Sequence, residues 1–151
     1  MSRLSTRRTA MITIDQITEI IQPYEMTFIR TDHFYGDIEN VLVELATSHG
    51  IFVRIYRDRR MNDCEIAYQI KYKDWLNVNH IFEIENITDS LDVYNEADFQ
   101  VYFESVLPII QRHMNILSRY ANRKYYEKKQ EEIRDMNKRK FEEKFPGCWE
   151  E

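Results

Sequence analysis

Residues 40–57 decide the fold of this chain, and they read NVLVELATSHGIFVRIYR. The first half of this stretch is rich in β-branched and aliphatic residues, and residues 51–57 place apolar side chains at alternate positions. Ser48, His49 and Gly50 form a short turn between the two halves. Two such runs joined by a short glycine-containing turn predict an antiparallel β-hairpin.

Strand-like segments continue on both sides of the hairpin. Residues 24–30 alternate before it, and residues 64–73, which read CEIAYQIKYK, alternate after it as a sheet with one covered face does. Four successive strands with short connections predict an antiparallel meander. Residues 75–87 fit a helical stripe about as well as a fifth strand, and we expect a strand or extended segment over part of them.

A short helix is predicted ahead of the sheet, over residues 14–22. Thr13 and Gln16 have the spacing of a capping box, in which each side chain bonds the backbone N–H of the other residue. Isoleucines follow at helical spacing. Pro23 ends the helix, because a proline disfavours helical angles in the residue before it.

A long helix is predicted after the sheet. Asn95 is in position to cap it, and apolar residues recur every three or four positions from Phe99 to Tyr120. Pro108 lies inside this pattern, so we expect a kink or local break near Glu104. Beyond residue 119, dense charges of both signs predict a solvated helical extension that frays toward its end.

The predicted architecture is therefore an α+β fold. It has an N-terminal helix, a four- to five-stranded antiparallel meander sheet and a long C-terminal helix packed on the sheet, with a charged helical extension. We assign residues 1–10 to a disordered basic arm, residues 11–121 to a single domain and residues 122–151 to the extension and tail, with Met11 as an alternative start. No apolar run approaches the roughly 20 residues of a membrane-spanning helix and no export signal is evident, so we expect a cytoplasmic protein.

Several classes of chemistry are disfavoured by the composition. The four histidines and two cysteines lack metal-ligand spacing, and no serine or cysteine lies in a nucleophile signature. The three glycines are far apart, whereas a phosphate-binding loop needs them clustered. We therefore predict no catalytic residues, no metal site and no cofactor, and reduced thiols at Cys64 and Cys148. Scattered carboxylates leave a small enzyme open as a third hypothesis.

Charge is distributed unevenly along the chain. The formal net charge is −5, and residues 74–111 contain eight carboxylates but neither lysine nor arginine. If this segment folds onto one surface, the patch would speed encounter with a basic protein and repel wrong partners. The predicted partner-binding residues are seven of these acids and two neighbouring tyrosines that could anchor a partner: Asp74, Glu83, Glu85, Asp89, Asp92, Tyr94, Glu96, Asp98 and Tyr102.

The charge balance argues against nucleic acid as a general partner. Lysines and arginines are frequent after residue 119, but acids interleave with them and cancel most of their field. Self-association through Tyr126, Ile133 and Phe141 of the charged extension stays open as a route to a homodimer.

The order of these elements resembles the small immunity proteins of bacterial toxin systems. The resemblance covers residues 12–120 and rests on three features: the order helix, meander and covering helix, residues 75–84, which read WLNVNHIFEI, and the aromatic-rich helix after Asn95. It implies a non-enzymatic protein that binds and blocks a basic toxin or nuclease. The alternative is a secretion-chaperone or adaptor-like protein that holds a client through apolar surface.

Overall fold

The computed structural model describes residues 12–33 and 40–147, and it confirms the predicted α+β fold. The predicted basic arm and Cys148 lie outside these residues. The strands are β1 (Met26–His33), β2 (Val41–Thr47), β3 (Phe52–Asp58), β4 (Met61–Ala67) and β5 (Leu76–Asn77). The helices are α1 (Ile14–Ile21), α2 (Val78–Ile84), a 3-10 helix (Asp92–Tyr94), α3 (Phe99–Arg112), α4 (Met114–Leu117), a second 3-10 helix (Ser118–Ala121) and α5 (Arg123–Lys144).

Helix α1 begins at the capping box that the sequence predicts. Oγ1 of Thr13 accepts a hydrogen bond from the backbone N–H of Gln16 (3.2 Å), and Oε1 of Gln16 accepts one from the N–H of Thr13 (2.8 Å). Ile17 and Ile21 lie about one turn apart and are both buried, because α1 packs against β1.

The five strands form an antiparallel meander in the order β1-β2-β3-β4-β5. On the apolar face, Val43 of β2 pairs with Ile55 of β3, which pairs with Cys64 of β4, and all three side chains are fully buried. Gly50 in the β2–β3 turn has a φ of 86°, and a Cβ added there would lie 3.1 Å from Cβ of Ala121. Backbone conformation and close packing therefore both favour glycine at this turn.

The opposite face of the sheet carries a row of alternating charges. Arg30, Glu44, Arg54 and Glu65 are neighbours on successive strands. The side chain of Glu44 is only 3% exposed, and its carboxylate accepts hydrogen bonds from Nε of Arg30 (2.9 Å) and from Nε and Nη2 of Arg54 (3.1 and 3.0 Å). Two guanidinium groups thus compensate the buried negative charge.

Strand β4 is displaced from the predicted residues 64–73. It begins at Met61 and ends at Ala67. Tyr68 and Tyr72 leave the sheet, and their ring centroids lie 5.0 and 5.5 Å from that of Tyr126. Aromatic packing against α5 therefore replaces the last part of the predicted alternation.

Residues 75–87 contain both elements that the sequence left open: a strand over part of them, as expected, and a helix over Val78–Ile84. Only Leu76–Asn77 pair with β4, and the side chain of Asn77 then caps α2 by accepting a hydrogen bond from the N–H of Asn79 (2.8 Å). Ile81 and Phe82 are buried on the inner side of α2. Burial of this helical stripe favours the helix over a longer fifth strand.

Helix α3 begins later than predicted and lacks the predicted break. Its N-cap is Asp98, while Asn95 ends the first 3-10 helix. The helix continues through Pro108, and the break comes at His113 instead of near Glu104. Because Pro108 and Glu104 are both exposed, water can satisfy the carbonyl that the proline leaves without a donor.

Helix α5, predicted as a solvated extension, contributes to the core. The hydroxyl of the buried Tyr126 lies 3.1 Å from the carbonyl oxygen of Ile66 and 2.7 Å from that of Asp74, and can donate to either. Ile133 is also buried, so neither it nor Tyr126 is available for the homodimer contact considered from the sequence. Within the described residues, no helix combines the length and apolar character needed to cross a membrane.

Candidate protein-binding site

The predicted partner-binding residues are spread over five parts of the chain. Asp74 precedes β5, Glu83 lies in α2, Glu85 directly follows α2, and Tyr102 lies in α3. The remaining residues lie between α2 and α3, in residues 86–98, which we call the acidic loop. They are Asp89, Asp92, Tyr94, Glu96 and Asp98.

Asp89 and Glu83 are neutralised by cations from other elements. Oδ2 of Asp89 accepts hydrogen bonds from Nε2 of His113 (2.6 Å) and Nη1 of Arg112 (2.9 Å). These two bonds, with that from His113 the stronger cause, lower the pKa of Asp89. Oε1 of Glu83 lies 2.6 Å from Nζ of Lys140 in α5. Neither acid therefore adds an unopposed charge to a surface patch.

Glu85 is directed toward the interior of the chain. Its side chain is 10% exposed, and its Oε2 accepts hydrogen bonds from the hydroxyls of Tyr120 (2.7 Å) and Tyr125 (2.9 Å) and lies 3.7 Å from Nζ of Lys129. Burial, followed by the bond to Glu85, raises the pKa of Tyr120 far above its ordinary value. The prediction that Glu85 contacts a partner is corrected: this carboxylate connects the end of α2 to the start of α5.

Tyr102 is a core residue. It is 1% exposed on the inner face of α3 and cannot reach a partner, which corrects the prediction that it anchors one. Tyr94 is half-buried. The exposed apolar residue of the acidic loop is its neighbour Val93, which is 76% exposed and which a count of acids overlooks.

Five acids of residues 74–111 have no cation within 4.0 Å in the described parts of the chain: Asp74, Asp92, Glu96, Asp98 and Glu104. Asp74 lines a depression of about 490 Å³ together with Arg54, Lys73 and Arg134, so positive charges share its surroundings. The unopposed negative surface is therefore smaller than predicted. It consists of Asp92, Glu96 and Asp98 of the acidic loop and Glu104 on α3.

The acidic loop is held by an asparagine that sequence reasoning missed. Asn62 of β4 is 3% exposed, and its Nδ2 donates hydrogen bonds to the carbonyls of Tyr94 (3.2 Å) and Ala97 (2.6 Å). Its backbone N–H donates to the carbonyl of Asn95 (2.8 Å). The available sequence signal is that Asn62 lies two residues before the buried Cys64, just ahead of the residues predicted as a strand, so its side chain falls on the same face of the sheet.

A second asparagine fixes the loop from the side of α2. Nδ2 of Asn79 donates a hydrogen bond to Oδ1 of Asp92 (2.8 Å), and its Oδ1 accepts one from the N–H of Leu91 (2.8 Å). The 3-10 helix is therefore tied to α2 at its start and to β4 at its end. The side chains that hold the loop, Asn62 and Asn79, belong to β4 and α2.

Two depressions flank the acidic loop, and Asp89 lies at the edge of both. The polar depression, of about 520 Å³, lies toward α2 and is lined by residues that include Asp63, His80, Glu83, Asp92 and Lys140. The second, mixed depression, of about 450 Å³, lies toward α3 and is lined by Val93, Tyr94, Pro108 and Ile109 together with Ser90, Ser105 and Arg112. The loop thus lies between a polar depression and a mixed one.

The polar depression gathers titratable groups without assembling a catalytic pair. Burial raises the pKa of Asp63, although the N–H of Cys64 (3.0 Å) and Nδ2 of Asn77 (2.7 Å) donate to its Oδ1. Among the described residues His80 makes no hydrogen bond to Asp63 or Asp92, and no group of three His, Cys, Asp or Glu side chains could hold a metal ion. The depression can accept a basic side chain. It does not bring a general base within hydrogen-bond distance of a nucleophilic side chain among the described residues.

Known proteins give no further guide to this site. No protein-family model, curated protein or solved structure matches the chain at a significant level. What the acidic loop does has to be inferred from its own geometry.

Proposed function

We propose that the chain is a non-enzymatic protein-binding module that docks a basic protein on the acidic loop. One observation carries this proposal. Asp92, Glu96 and Asp98 have no cation within 4.0 Å in the part of the chain that the structure describes, yet they are close in sequence to Val93, which is 76% exposed. Unpaired charges around an exposed aliphatic side chain are typical of an interface with a polar rim and an apolar centre.

The acidic loop would act mainly on the rate of association and on the choice of partner. Exposed charges of one sign steer an oppositely charged protein toward the surface, and each exposed ion pair contributes at most about 1 kcal/mol to affinity. Because Glu83, Glu85 and Asp89 are neutralised within the chain, we place the contact on Asp92, Glu96 and Asp98. This surface is narrower than the one that the sequence predicts.

The resemblance to immunity proteins favours one form of this function, that of a cytoplasmic inhibitor of a basic bacterial toxin or nuclease. A nuclease surface that meets phosphates is positively charged. An acidic loop bound there would occupy the groups that otherwise contact nucleic acid. The ties from Asn62 and Asn79 support this form, because they hold the competing carboxylates in place before binding.

A second candidate is a chaperone or adaptor-like protein that holds a client through apolar surface. It is favoured by Val93 and by Val101 of α3, which is 49% exposed. The two candidates differ in their response to salt. Contacts between exposed charges weaken as ionic strength rises, whereas apolar contacts change little.

The experiment compares the removal of three negative charges at two places. The loop variant is Asp92→Asn, Glu96→Gln and Asp98→Asn, which keeps a good capping residue at the start of α3. The control variant is Asp15→Asn, Glu19→Gln and Glu143→Gln, at exposed positions of α1 and α5. Both variants have the same net charge, so they differ only in where the charge is lost.

Wild type and variants are used to isolate binding proteins from the native host at low ionic strength, and the Kd for the bound protein is then measured by calorimetry. We expect one basic protein, which the loop variant binds about 30-fold more weakly than the wild type and the control do. The affinity of the wild type should fall as salt is added. A loop variant that binds as tightly as the control would contradict the proposal, and a wild-type affinity that is insensitive to salt would favour the client-holding candidate.

A further inference from the structure

The mixed depression beside the acidic loop contains apolar side chains that purely electrostatic docking would leave unused. Val93 is 76% exposed, more than any other large apolar side chain in the described residues. Tyr94, Pro108 and Ile109 line the same depression, whose volume is about 450 Å³. A partner that touched only the carboxylates would leave this aliphatic and aromatic surface in water.

Helix α3 borders this depression with its outer side. Val101, Ser105, Pro108 and Arg112 recur every three or four residues, so they lie on one face of the helix. The last three line the depression, and Val101, one turn before them, is 49% exposed. A groove therefore runs between the first 3-10 helix and the outer face of α3.

Four acids close in sequence to the residues that line this groove carry negative charge. Asp92, Glu96 and Asp98 belong to the acidic loop, Glu104 lies on α3, and none of the four has a cation within 4.0 Å among the described residues. Arg112, which also lines the groove, is already bonded to Asp89. Charge complementarity therefore selects a positively charged occupant.

We propose that this groove receives a lysine- or arginine-rich segment of the protein partner that carries an aliphatic or aromatic anchor. The anchor contacts Val93 and Pro108, and the basic side chains pair with the surrounding carboxylates. This inference rests on the proposed function and adds an apolar contact to it. An amphipathic helix with anchors and basic residues at helical spacing meets both requirements. A neutral apolar segment does not, because it would cover carboxylates without pairing them.

Two synthetic peptides of about 16 residues, long enough to form a bound helix, serve as probes. One carries lysines and leucines at helical spacing, and the other has serine in place of every leucine and the same charge. Their affinities for the full chain are measured by fluorescence anisotropy. The variants are Val93→Ser, the conservative Val93→Leu and the control Ile14→Ser, which changes an exposed apolar residue of α1 that is 53% exposed.

We expect the leucine peptide to bind the wild type about tenfold more tightly than the serine peptide, as burial of one aliphatic side chain implies. Val93→Ser should remove that difference, whereas Val93→Leu and Ile14→Ser should keep it. If both peptides bind equally and the loop variant weakens both, the apolar anchor is refuted and the proposed function stands. If neither peptide binds, or neither responds to the loop variant, the proposed function fails as well. A dimer that Val93→Ser abolishes, detected by light scattering, would place a second copy of the chain in the groove and overturn the inference.

Discussion

Replacement of Glu85 by glutamine is expected to destabilise the chain without weakening partner binding. The 10%-exposed carboxylate accepts hydrogen bonds from Tyr120 and Tyr125 and lies 3.7 Å from Nζ of Lys129. Hydrogen bonds to a charged group contribute about 1.5–3 kcal/mol each, against about 1 kcal/mol for neutral pairs. Glutamine keeps an acceptor oxygen but not the charge, so the free energy of unfolding should fall by about 2 kcal/mol. Alanine also removes the acceptor and should lower it by about 4 kcal/mol.

Glu83 provides a matched control for this prediction. It also pairs with a lysine of α5, since its Oε1 lies 2.6 Å from Nζ of Lys140, but the two side chains are 48% and 51% exposed. An exposed ion pair contributes between nothing measurable and about 1 kcal/mol. Glu83→Gln should therefore lower the free energy of unfolding by less than about 0.5 kcal/mol. Burial is the main difference between the two positions.

The measurement is urea unfolding followed by circular dichroism, with the slope of the transition compared between variants. A loss of about 2 kcal/mol corresponds to a decrease in Tm of about 4–8 °C in a chain of this length. Equal losses in Glu83→Gln and Glu85→Gln, or no loss in Glu85→Gln, would refute the reasoning that burial makes this carboxylate structural. A weaker Kd for the partner in Glu85→Gln, with stability unchanged, would return the residue to the binding surface.

Three further substitutions separate stability, pH dependence and loop order. Asn62→Ala should lower the free energy of unfolding by about 2 kcal/mol and speed amide exchange in the acidic loop, as measured by mass spectrometry, whereas unchanged exchange would contradict its anchoring role. The pKa of Asp89 is lowered below the ordinary 3.8 by His113 and Arg112, so its stabilising contribution is complete above that pH and is lost as pH falls through the folded-state pKa. Asp89→Asn should therefore reduce the acid-induced loss of stability, and urea midpoints between about pH 5 and pH 2 test this. Burial raises the pKa of Asp63, so its ionised form lowers stability once pH rises through the folded-state pKa. The difference in the free energy of unfolding between Asp63→Asn and the wild type should therefore favour the variant more at about pH 7 than at about pH 3. A difference that does not depend on pH would contradict the burial argument.

Much of the fold could be predicted because its signals are local. The capping box of Thr13 and Gln16 and the hairpin of β2 and β3 each depend on residues only a few positions apart, and both are confirmed. Residues 75–87 could not be resolved in the same way, because a short apolar run fits periods of 2 and 3.6 about equally. Asn77, which caps α2, was the decisive local signal in that segment.

The candidate site was predicted less well, because charge neutralisation is not local. Glu83 pairs with Lys140, which lies 57 residues further along the chain, and Glu85 lies near Lys129 of the same helix. A run of acids without neighbouring bases therefore overstates the free negative charge whenever a distant helix packs beside it. The part of the prediction that survives is Asp92, Glu96 and Asp98, which have no lysine of α5 within 4.0 Å among the described residues.

The position of Asn62 also bears on the thermodynamics of recognition. Ordering a free backbone costs about 1–2 kcal/mol per residue, and a loop that was ordered only on contact would lose much of its affinity to that cost. Hydrogen bonds from Asn62 of β4 to the carbonyls of Tyr94, Asn95 and Ala97 order the loop when the chain folds, before any partner binds. Association should therefore proceed with little conformational entropy loss in this chain. A substitution of the buried Asn62 can alter affinity for a partner even though the partner does not contact Asn62.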